Sequence, residues 1–346
     1  MLRFSGGIAG GKSALSVARV VLLAGALACL LAACGQSAAP TATHFVAPTA
    51  SPVAKASPVA KASPVAKASP LVSKPKPTRT VSRARKRPTG VDIRVISAAG
   101  VRQRIDCRGS GPVTLVVITG LGSPASAWSL VAAGFRRTTR TCFYDRPGLG
   151  ASPPRTNTKQ VVNAGTYARE LAALLRAAGE PGPYIVLGHS FGGLVARAFV
   201  LENMSVVRGV LLAESDDPAD QTTGSYWGEA GHAVNMLLSK AATGGGPMLG
   251  HRPLLVLSAS HPQGDHLGGP TYGQPPWMIS QWIAEQRADV RLSSNAIQVI
   301  ATSGHVLQQD APAAVVEAVR VLVHAVTRGG RLACSSVWIS DAATCR

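Results

Sequence analysis

Acidic residues are absent from the first quarter of the chain, although the whole sequence of 346 residues has 17 Asp and Glu beside 35 Lys and Arg. Residues 1–90 hold 13 of the basic residues, so residues 91–346 carry only 22 basic against 17 acidic residues. The strongly basic balance therefore belongs to one segment. A nucleic-acid-binding domain would present its Lys and Arg on a folded face, so this distribution argues against nucleic acid as a partner.

Aromatic and charged residues are scarce, at 5% and 15% of the chain. This composition excludes a coiled coil and a highly charged disordered chain. The apolar run Val20–Ala33 is shorter than the roughly 20 residues that a membrane-spanning helix needs. The residues after the basic segment are numerous enough for one sizeable α/β core.

The N-terminus has the pattern of a secretory signal. Positive residues (Arg3, Lys12 and Arg19) precede the apolar run, which ends in Leu-Ala-Ala before Cys34. Small residues before a cysteine resemble a bacterial lipobox, where cleavage leaves Cys34 as a lipid-carrying N-terminus, and acyl chains anchor at about 0.8 kcal/mol per buried CH₂. We therefore predict a signal peptide over 1–33 and an exported protein, lipid-anchored to the outer face of a bacterial cell membrane. Plain secretion and an uncleaved anchor are the alternatives.

Residues 34–90 are predicted to form a disordered spacer rich in Ala, Pro and Lys. The hexad Ser-Pro-Val-Ala-Lys-Ala repeats from Ser51, Ser57 and Ser63, and the repeated proline blocks regular helix and favours extended chain. A basic segment follows between Lys74 and Arg87. We interpret it as solvated linker charge. The alternative is contact with anionic lipid headgroups or cell-wall polymer, at about 1 kcal/mol per cation.

Four cysteines lie beyond the lipobox: Cys107, Cys142, Cys334 and Cys345. An even number in an exported protein favours disulfides, and four cysteines allow three pairings. The favoured pairing joins Cys107 to Cys142, which lie at the ends of two predicted strands, and Cys334 to Cys345. The second pair lies within a predicted C-terminal tail over 328–346. The sequence has no CxxC motif and no Cys/His cluster at metal spacing, so a zinc site is not predicted. No other metal and no organic cofactor is predicted either.

Short β-rich runs alternate with helical runs over residues 91–327. Val113–Thr119 is a continuous apolar run, typical of a central strand covered on both faces, and Thr166–Ala178 has apolar residues at helical spacing. The other predicted strands are 91–97, 101–107, 141–144, 184–187, 207–213, 254–259 and 297–302, and the other predicted helices are 191–201 and 311–326. The alternation predicts a mostly parallel central sheet with helices on both faces.

The sequence Gly188-His189-Ser190-Phe191-Gly192 matches G-x-S-x-G between a predicted strand and a predicted helix, the context this pattern requires. Such a tight strand-to-helix turn projects the serine hydroxyl clear of the sheet, so Ser190 is the candidate nucleophile. The candidate general base is His305, which follows the last predicted strand and comes after the serine in chain order. His189 is interpreted as structural.

The candidate acid stays open between several carboxylates. Glu214 ends the predicted strand 207–213, and Asp265 lies in the loop after strand 254–259. Glu214 is favoured, Asp265 is the main alternative, and Asp216 or Asp217 is a third possibility. For the oxyanion hole, the pattern predicts the backbone N–H groups of Phe191 and of Leu121.

Residues 91–327 resemble the α/β-hydrolase fold family. The resemblance is carried by Thr119-Gly120-Leu121-Gly122, the turn from Asp145 to Ser152, the Ser190 turn and Ser303-Gly304-His305. It implies an α/β-hydrolase fold with a small cap and a serine hydrolase that cleaves a carboxylic ester or related acyl compound. Thioester or amide cleavage, cofactor-free peroxidation and a catalytically silent cell-surface binding protein are the alternatives.

Two departures from the family pattern bear on the site. Thr119 stands where the family usually has His, and the loop after strand 254–259 lacks the Gly-x-x-Asp pattern, which is why the acid stays open. Asp145 and Arg146 are expected to brace their turn. The cap is predicted over about 216–250, where apolar residues such as Leu237 and Leu238 either line an acyl pocket or pack into the core.

Overall fold

The computed structural model describes residues 92–218, 226–241, 243, 246, 248–261, 276–336 and 343–346. The predicted signal peptide, Cys34, the spacer with its basic segment and the candidate acid Asp265 lie outside these residues. None of the helices within the described ranges is long and apolar enough to cross a membrane.

The strands are β1 (Asp92–Ala98), β2 (Val101–Arg108), β3 (Thr114–Ile118), β4 (Arg140–Tyr144), β5 (Tyr184–His189), β6 (Val207–Ala213), β7 (Tyr226–Glu229), β8 (His232–Asn235), β9 (Leu254–Ala259), β10 (Ala296–Ala301) and β11 (Ala343–Cys345). The α-helices are α1 (Ser129–Thr138), α2 (Ala164–Ala177), α3 (Phe191–Glu202), α4 (Met236–Ala241), α5 (Pro276–Ala288), α6 (Leu307–Asp310) and α7 (Pro312–Arg328).

Nine strands form one sheet in the order β1-β2-β4-β3-β5-β6-β9-β10-β11. The pairings from β4 to β10 are parallel, and the outer pairings are antiparallel. Apolar side chains of α2 and α3 form a core on one face, and those of α1 and α7 form a core on the other. The predicted mostly parallel sheet with helices on both faces is confirmed.

The central strands read as continuous apolar runs because both of their faces are covered. Every residue of β3, β5 and β9 is buried. The carboxyl ends of the parallel strands lie at one edge of the sheet, where Leu121, Ser190, Glu214 and His305 follow β3, β5, β6 and β10.

The structure contains both favoured disulfides. Cys107 and Cys142 are directly opposed on β2 and β4 and are bonded, and Cys334 is bonded to Cys345. The segment expected to be a C-terminal tail contributes β11, which pairs antiparallel with β10. Cys107, Cys142 and Glu180 lie close together, but the disulfide uses both sulfur atoms and Glu180 pairs with Arg140.

The segment after β6 that the sequence predicts as a cap contains the hairpin β7–β8 and the short helix α4, and we refer to these elements as the cap. Met236 is fully buried in the core, whereas Tyr226, Leu237 and Leu238 are more than half exposed. Met236 therefore packs into the core, whereas Tyr226 lines a surface cavity together with Glu229 and His232. The cap directs Glu229 and His232 inward, where both are buried.

Candidate active site

Ser190 occupies the sharp turn between β5 and α3. Its φ of 52° lies in the left-handed region, which a non-glycine residue adopts only at a cost of order 1–3 kcal/mol. The turn needs glycine on both sides, because a Cβ on Gly188 would lie 2.5 Å from the Gly192 carbonyl oxygen, and a Cβ on Gly192 would overlap the Ile118 carbonyl oxygen. The close packing fixes Ser190 at the N-terminus of α3, where the helix dipole favours negative charge.

The two predicted oxyanion donors come from neighbouring segments. Phe191 is the first residue of α3, and Leu121 lies in the loop after β3. That loop passes directly beside the nucleophile, since a Cβ built on Gly120 would lie 3.3 Å from the Ser190 Cβ. The structure therefore brings both predicted segments to Ser190.

His305 follows β10 and is held from several sides. Its Nδ1 lies 3.2 Å from Glu214 Oε2, and its backbone carbonyl accepts a 2.8 Å hydrogen bond from His189 Nε2. The N–H of Gly304 donates to Asp310 Oδ2 at 2.9 Å. With Nδ1–H donating to Glu214, the other ring nitrogen of His305 is left as a proton acceptor.

Glu214 is fully buried at the carboxyl end of β6, with a left-handed φ of 46°. Besides His305, its carboxylate accepts the Ala259 N–H at 2.7 Å and the Trp282 indole N–H at 3.0 Å. The structure thus places Glu214 where an acid would orient His305. Asp265 lies outside the described residues.

Asp216 is a second carboxylate beside the nucleophile. The Ser190 hydroxyl donates to Asp216 Oδ1 at 3.5 Å, a long hydrogen bond. No hydrogen bond joins Ser190 to His305 within the described part of the chain, and catalytic hydrogen bonds often tighten only when substrate is bound. Asp217 acts electrostatically on Asp289.

The two histidines of the site have opposite pKa shifts. Burial disfavours the charged form of His305, but the hydrogen bond and charge of Glu214, together with the charge of Asp216, raise its pKa above the usual value. Burial, followed by the nearby charge of His305, lowers the pKa of His189 to about 3. His189 therefore stays neutral and supports the His305 backbone, in keeping with the structural role expected for it.

The raised pKa of His305 predicts the pH dependence of an acyl transfer that uses this base. His305 must be neutral to accept a proton, so kcat/KM should fall as the pH drops through a pKa above 6.5. Asp216→Asn removes one of the charges that raise this pKa. The fall of kcat/KM on the acid side of the pH–rate profile should therefore move to lower pH. A pH–rate profile with a neutral ester measures the shift.

Asp217→Asn is the matched control, because Asp217 is not among the groups that shift the pKa of His305. Its profile should match that of the parent protein. An acid limb that stays in place in Asp216→Asn, or moves equally in both variants, would contradict this electrostatic account.

Arg146 and Glu229 form a buried ion pair next to the loop after β3. Arg146 was expected to brace its turn, and it also donates to the Thr119 carbonyl at 2.7 Å and to the Gly120 carbonyl at 2.5 Å. The sequence reasoning missed Glu229, because no motif marks it and its partner lies 83 residues away. Asp145 braces its turn by accepting the Ala151 N–H at 3.3 Å, and it also accepts the Ala125 N–H at 2.7 Å.

Comparison with known proteins finds a match to one family over the central part of the chain. The model of the alpha/beta hydrolase family matches residues 115–278. An uncharacterized protein, YqjL of Bacillus subtilis, is 31% identical over 116 residues, which are 32% of this chain and 42% of that protein. A 2-hydroxy-6-oxononadienedioate/2-hydroxy-6-oxononatrienedioate hydrolase of Dechloromonas aromatica is 38% identical over 117 residues, 31% of this chain and 37% of that hydrolase. The chain thus spans less than half the length of these curated relatives.

Solved structures extend the likeness to about two thirds of the chain. An esterase from Thermogutta terrifontis superposes with a TM-score of 0.53 at 17% identity, covering 68% of this chain and 99% of the esterase. A bacterial membrane phospholipase A has a TM-score of 0.51 at 15% identity, covering 69% and 87% of the two chains. The chain therefore has the α/β-hydrolase fold, as its sequence predicts.

Proposed function

We propose that this protein is a serine hydrolase that cleaves a carboxylic ester or related acyl compound. The proposal depends mainly on one observation: Ser190 stands on a strained strand-to-helix turn beside the glycine loop after β3, and His305 and Glu214, which follow parallel strands, are paired. The match to the hydrolase family and the names of the similar enzymes support the same class of reaction.

In this mechanism, Ser190 Oγ attacks the acyl carbon while His305 takes the hydroxyl proton. The carbonyl oxygen becomes an oxyanion, bound by the N–H groups of Phe191 and Leu121. His305 then returns the proton to the leaving alcohol, and an acyl-enzyme forms. Water, deprotonated by His305, hydrolyses the acyl-enzyme and regenerates Ser190.

Glu214 stabilises the imidazolium that forms in each step. It also holds His305 in the tautomer that can accept the serine proton, since His305 Nδ1–H donates to its carboxylate. The carboxylates of Glu214 and Asp216 both lie next to the reacting pair, and a third negative charge on the acyl group would be repelled. We therefore propose that the acyl group is uncharged.

Labelling with a fluorophosphonate probe tests the proposed function. The purified protein is treated with the probe, digested and mapped by mass spectrometry. We expect one modified residue, Ser190, because only an activated hydroxyl attacks phosphorus at a useful rate.

Ser190→Ala is the specificity control and should carry no label, and His305→Ala should label far more slowly. A folded parent protein that takes no label would overturn the hydrolase proposal, and the alternative of a silent binding protein would then be favoured.

A further inference from the structure

A buried ion pair connects the cap to the loop that carries the predicted oxyanion donor Leu121. Glu229 ends the cap strand β7, and Arg146 follows β4. The guanidinium binds the carboxylate through two parallel hydrogen bonds, Nε to Oε2 at 3.0 Å and Nη2 to Oε1 at 2.7 Å. Both side chains are at most 1% exposed, and such bidentate pairs fix geometry as well as energy.

The same two side chains hold the backbone on both sides of Leu121. Arg146 Nη1 and Nη2 donate to the carbonyl oxygens of Thr119 and Gly120, and the N–H of Gly122 donates to Glu229 Oε1 at 2.7 Å. The Gly120 carbonyl and the Leu121 N–H belong to one planar trans peptide, so they point in opposite directions. When Arg146 fixes that carbonyl, it also fixes the direction of the Leu121 N–H.

Further hydrogen bonds hold Glu229 from within the fold. The Tyr167 hydroxyl donates to Glu229 Oε2 at 2.5 Å and lies 2.8 Å from His232 Nε2 on the next cap strand. The cap hairpin thus presents a carboxylate whose position is set by α2 and by its own second strand. A displaced hairpin would remove the acceptor of the Gly122 N–H and a partner of Arg146 together.

We infer that Glu229 and Arg146 are positioning residues for the oxyanion hole, so that the cap hairpin assembles this part of the active site. The inference rests on the proposed function, since it assumes that an oxyanion forms beside Leu121. It predicts that the pair supports the transition state and contributes little to binding of the ester itself, because both side chains are buried and hold the backbone of the loop after β3.

A purely structural ion pair elsewhere in the chain supplies the matched control. Arg140 and Glu180 are also fully buried and bidentate, with Arg140 Nε 3.1 and 3.0 Å from the two carboxylate oxygens. Arg140 also donates to the Gly109 carbonyl, and it begins β4, whereas Arg146 follows the end of that strand. Glu180→Gln therefore removes the same charge from the same kind of site without touching the loop after β3.

The test compares Glu229→Gln with Glu180→Gln by kcat and KM for p-nitrophenyl butyrate and by inhibition with a trifluoromethyl ketone. Ser190 adds to such a ketone to give a tetrahedral oxyanion, so its inhibition constant reports on the oxyanion hole. We expect Glu229→Gln to lower kcat and weaken the ketone by a similar factor of about 10–100, less than the roughly 10²–10³ that follows complete loss of one donor. KM should change little, and Glu180→Gln should keep the parent kcat and inhibition constant.

Arg146→Lys keeps the test decisive if Glu229→Gln does not fold. A lysine retains the positive charge but cannot donate to both carbonyls and both carboxylate oxygens, so it should show the same paired loss. A folded Glu229→Gln, or a folded Arg146→Lys in its place, with parent kcat and ketone affinity would overturn the inference. Equal losses in Glu180→Gln would overturn it as well. Fluorophosphonate labelling of the parent protein distinguishes the two kinds of failure. If the parent protein is labelled at Ser190 while the folded variants keep the parent kcat and ketone affinity, this inference is wrong and the proposed function stands.

Discussion

Replacing Glu214 by Gln should lower kcat for a neutral ester by about four orders of magnitude, the loss that follows when a catalytic histidine is held in the wrong tautomer. Glu214 Oε1 accepts the Ala259 N–H, and Oε2 accepts from Trp282 and His305. A Gln side chain that keeps its oxygen toward Ala259 turns its NH₂ toward His305. His305 Nδ1 would then have to accept a hydrogen bond, which leaves the proton on the nitrogen that should receive it from Ser190.

Asp265→Asn is the comparison that decides between the two candidate acids. If Glu214 is the acid, the Asp265 variant should keep a kcat close to that of the parent protein in the same p-nitrophenyl butyrate assay. The reverse result, with activity lost in Asp265→Asn and kept in Glu214→Gln, would make Asp265 the acid. Trp282→Phe serves as a control for the environment of Glu214, because it removes one hydrogen bond and leaves the carboxylate and His305 paired.

The sequence could not choose between these acids for a physical reason. Glu214, Asp265 and His305 follow different strands, and whether a carboxylate reaches the imidazole depends on strand order, on loop shape and on the left-handed backbone at Glu214. None of these is a local property of the chain. The serine turn, by contrast, is local, because Gly188 and Gly192 are needed within two residues of Ser190, and the motif alone predicts it.

The elements that the sequence predicts have a local pattern of their own, and the cap hairpin, which was missed, depends on contacts with distant parts of the chain. The apolar strands β3, β5 and β9 and the helices α2, α3 and α7 have their own periodicity, and the structure contains them at nearly the predicted bounds. The cap hairpin was missed because its strands are short and most of its buried residues are polar. Glu229 is buried there only because Arg146 and Tyr167 meet it, and these partners come from distant parts of the chain.

Removing Arg140 should cause a large loss of stability with no loss of catalysis. Arg140→Met leaves the fully buried Glu180 carboxylate without its cation, and an uncompensated buried charge costs about 3–5 kcal/mol in the free energy of unfolding. The measurement is urea unfolding with the disulfides intact, together with kcat. Arg169→Met is the matched control, because the Arg169–Glu202 pair is exposed at both ends and such pairs contribute only about 0–1 kcal/mol.

A double variant shows whether the loss comes from a stranded charge or from the missing ion pair itself. Arg140→Met combined with Glu180→Met removes both charges, and apolar replacement of a buried pair is often neutral or stabilising. We therefore expect the double variant to recover most of the stability that Arg140→Met loses. If it is as unstable as the single variant, the attraction between the charges, together with the Arg140 hydrogen bond to the Gly109 carbonyl, holds this end of the sheet together. The Arg146–Glu229 pair differs in that its partners include the loop beside Ser190, so only there should loss of the pair lower catalysis in a protein that stays folded.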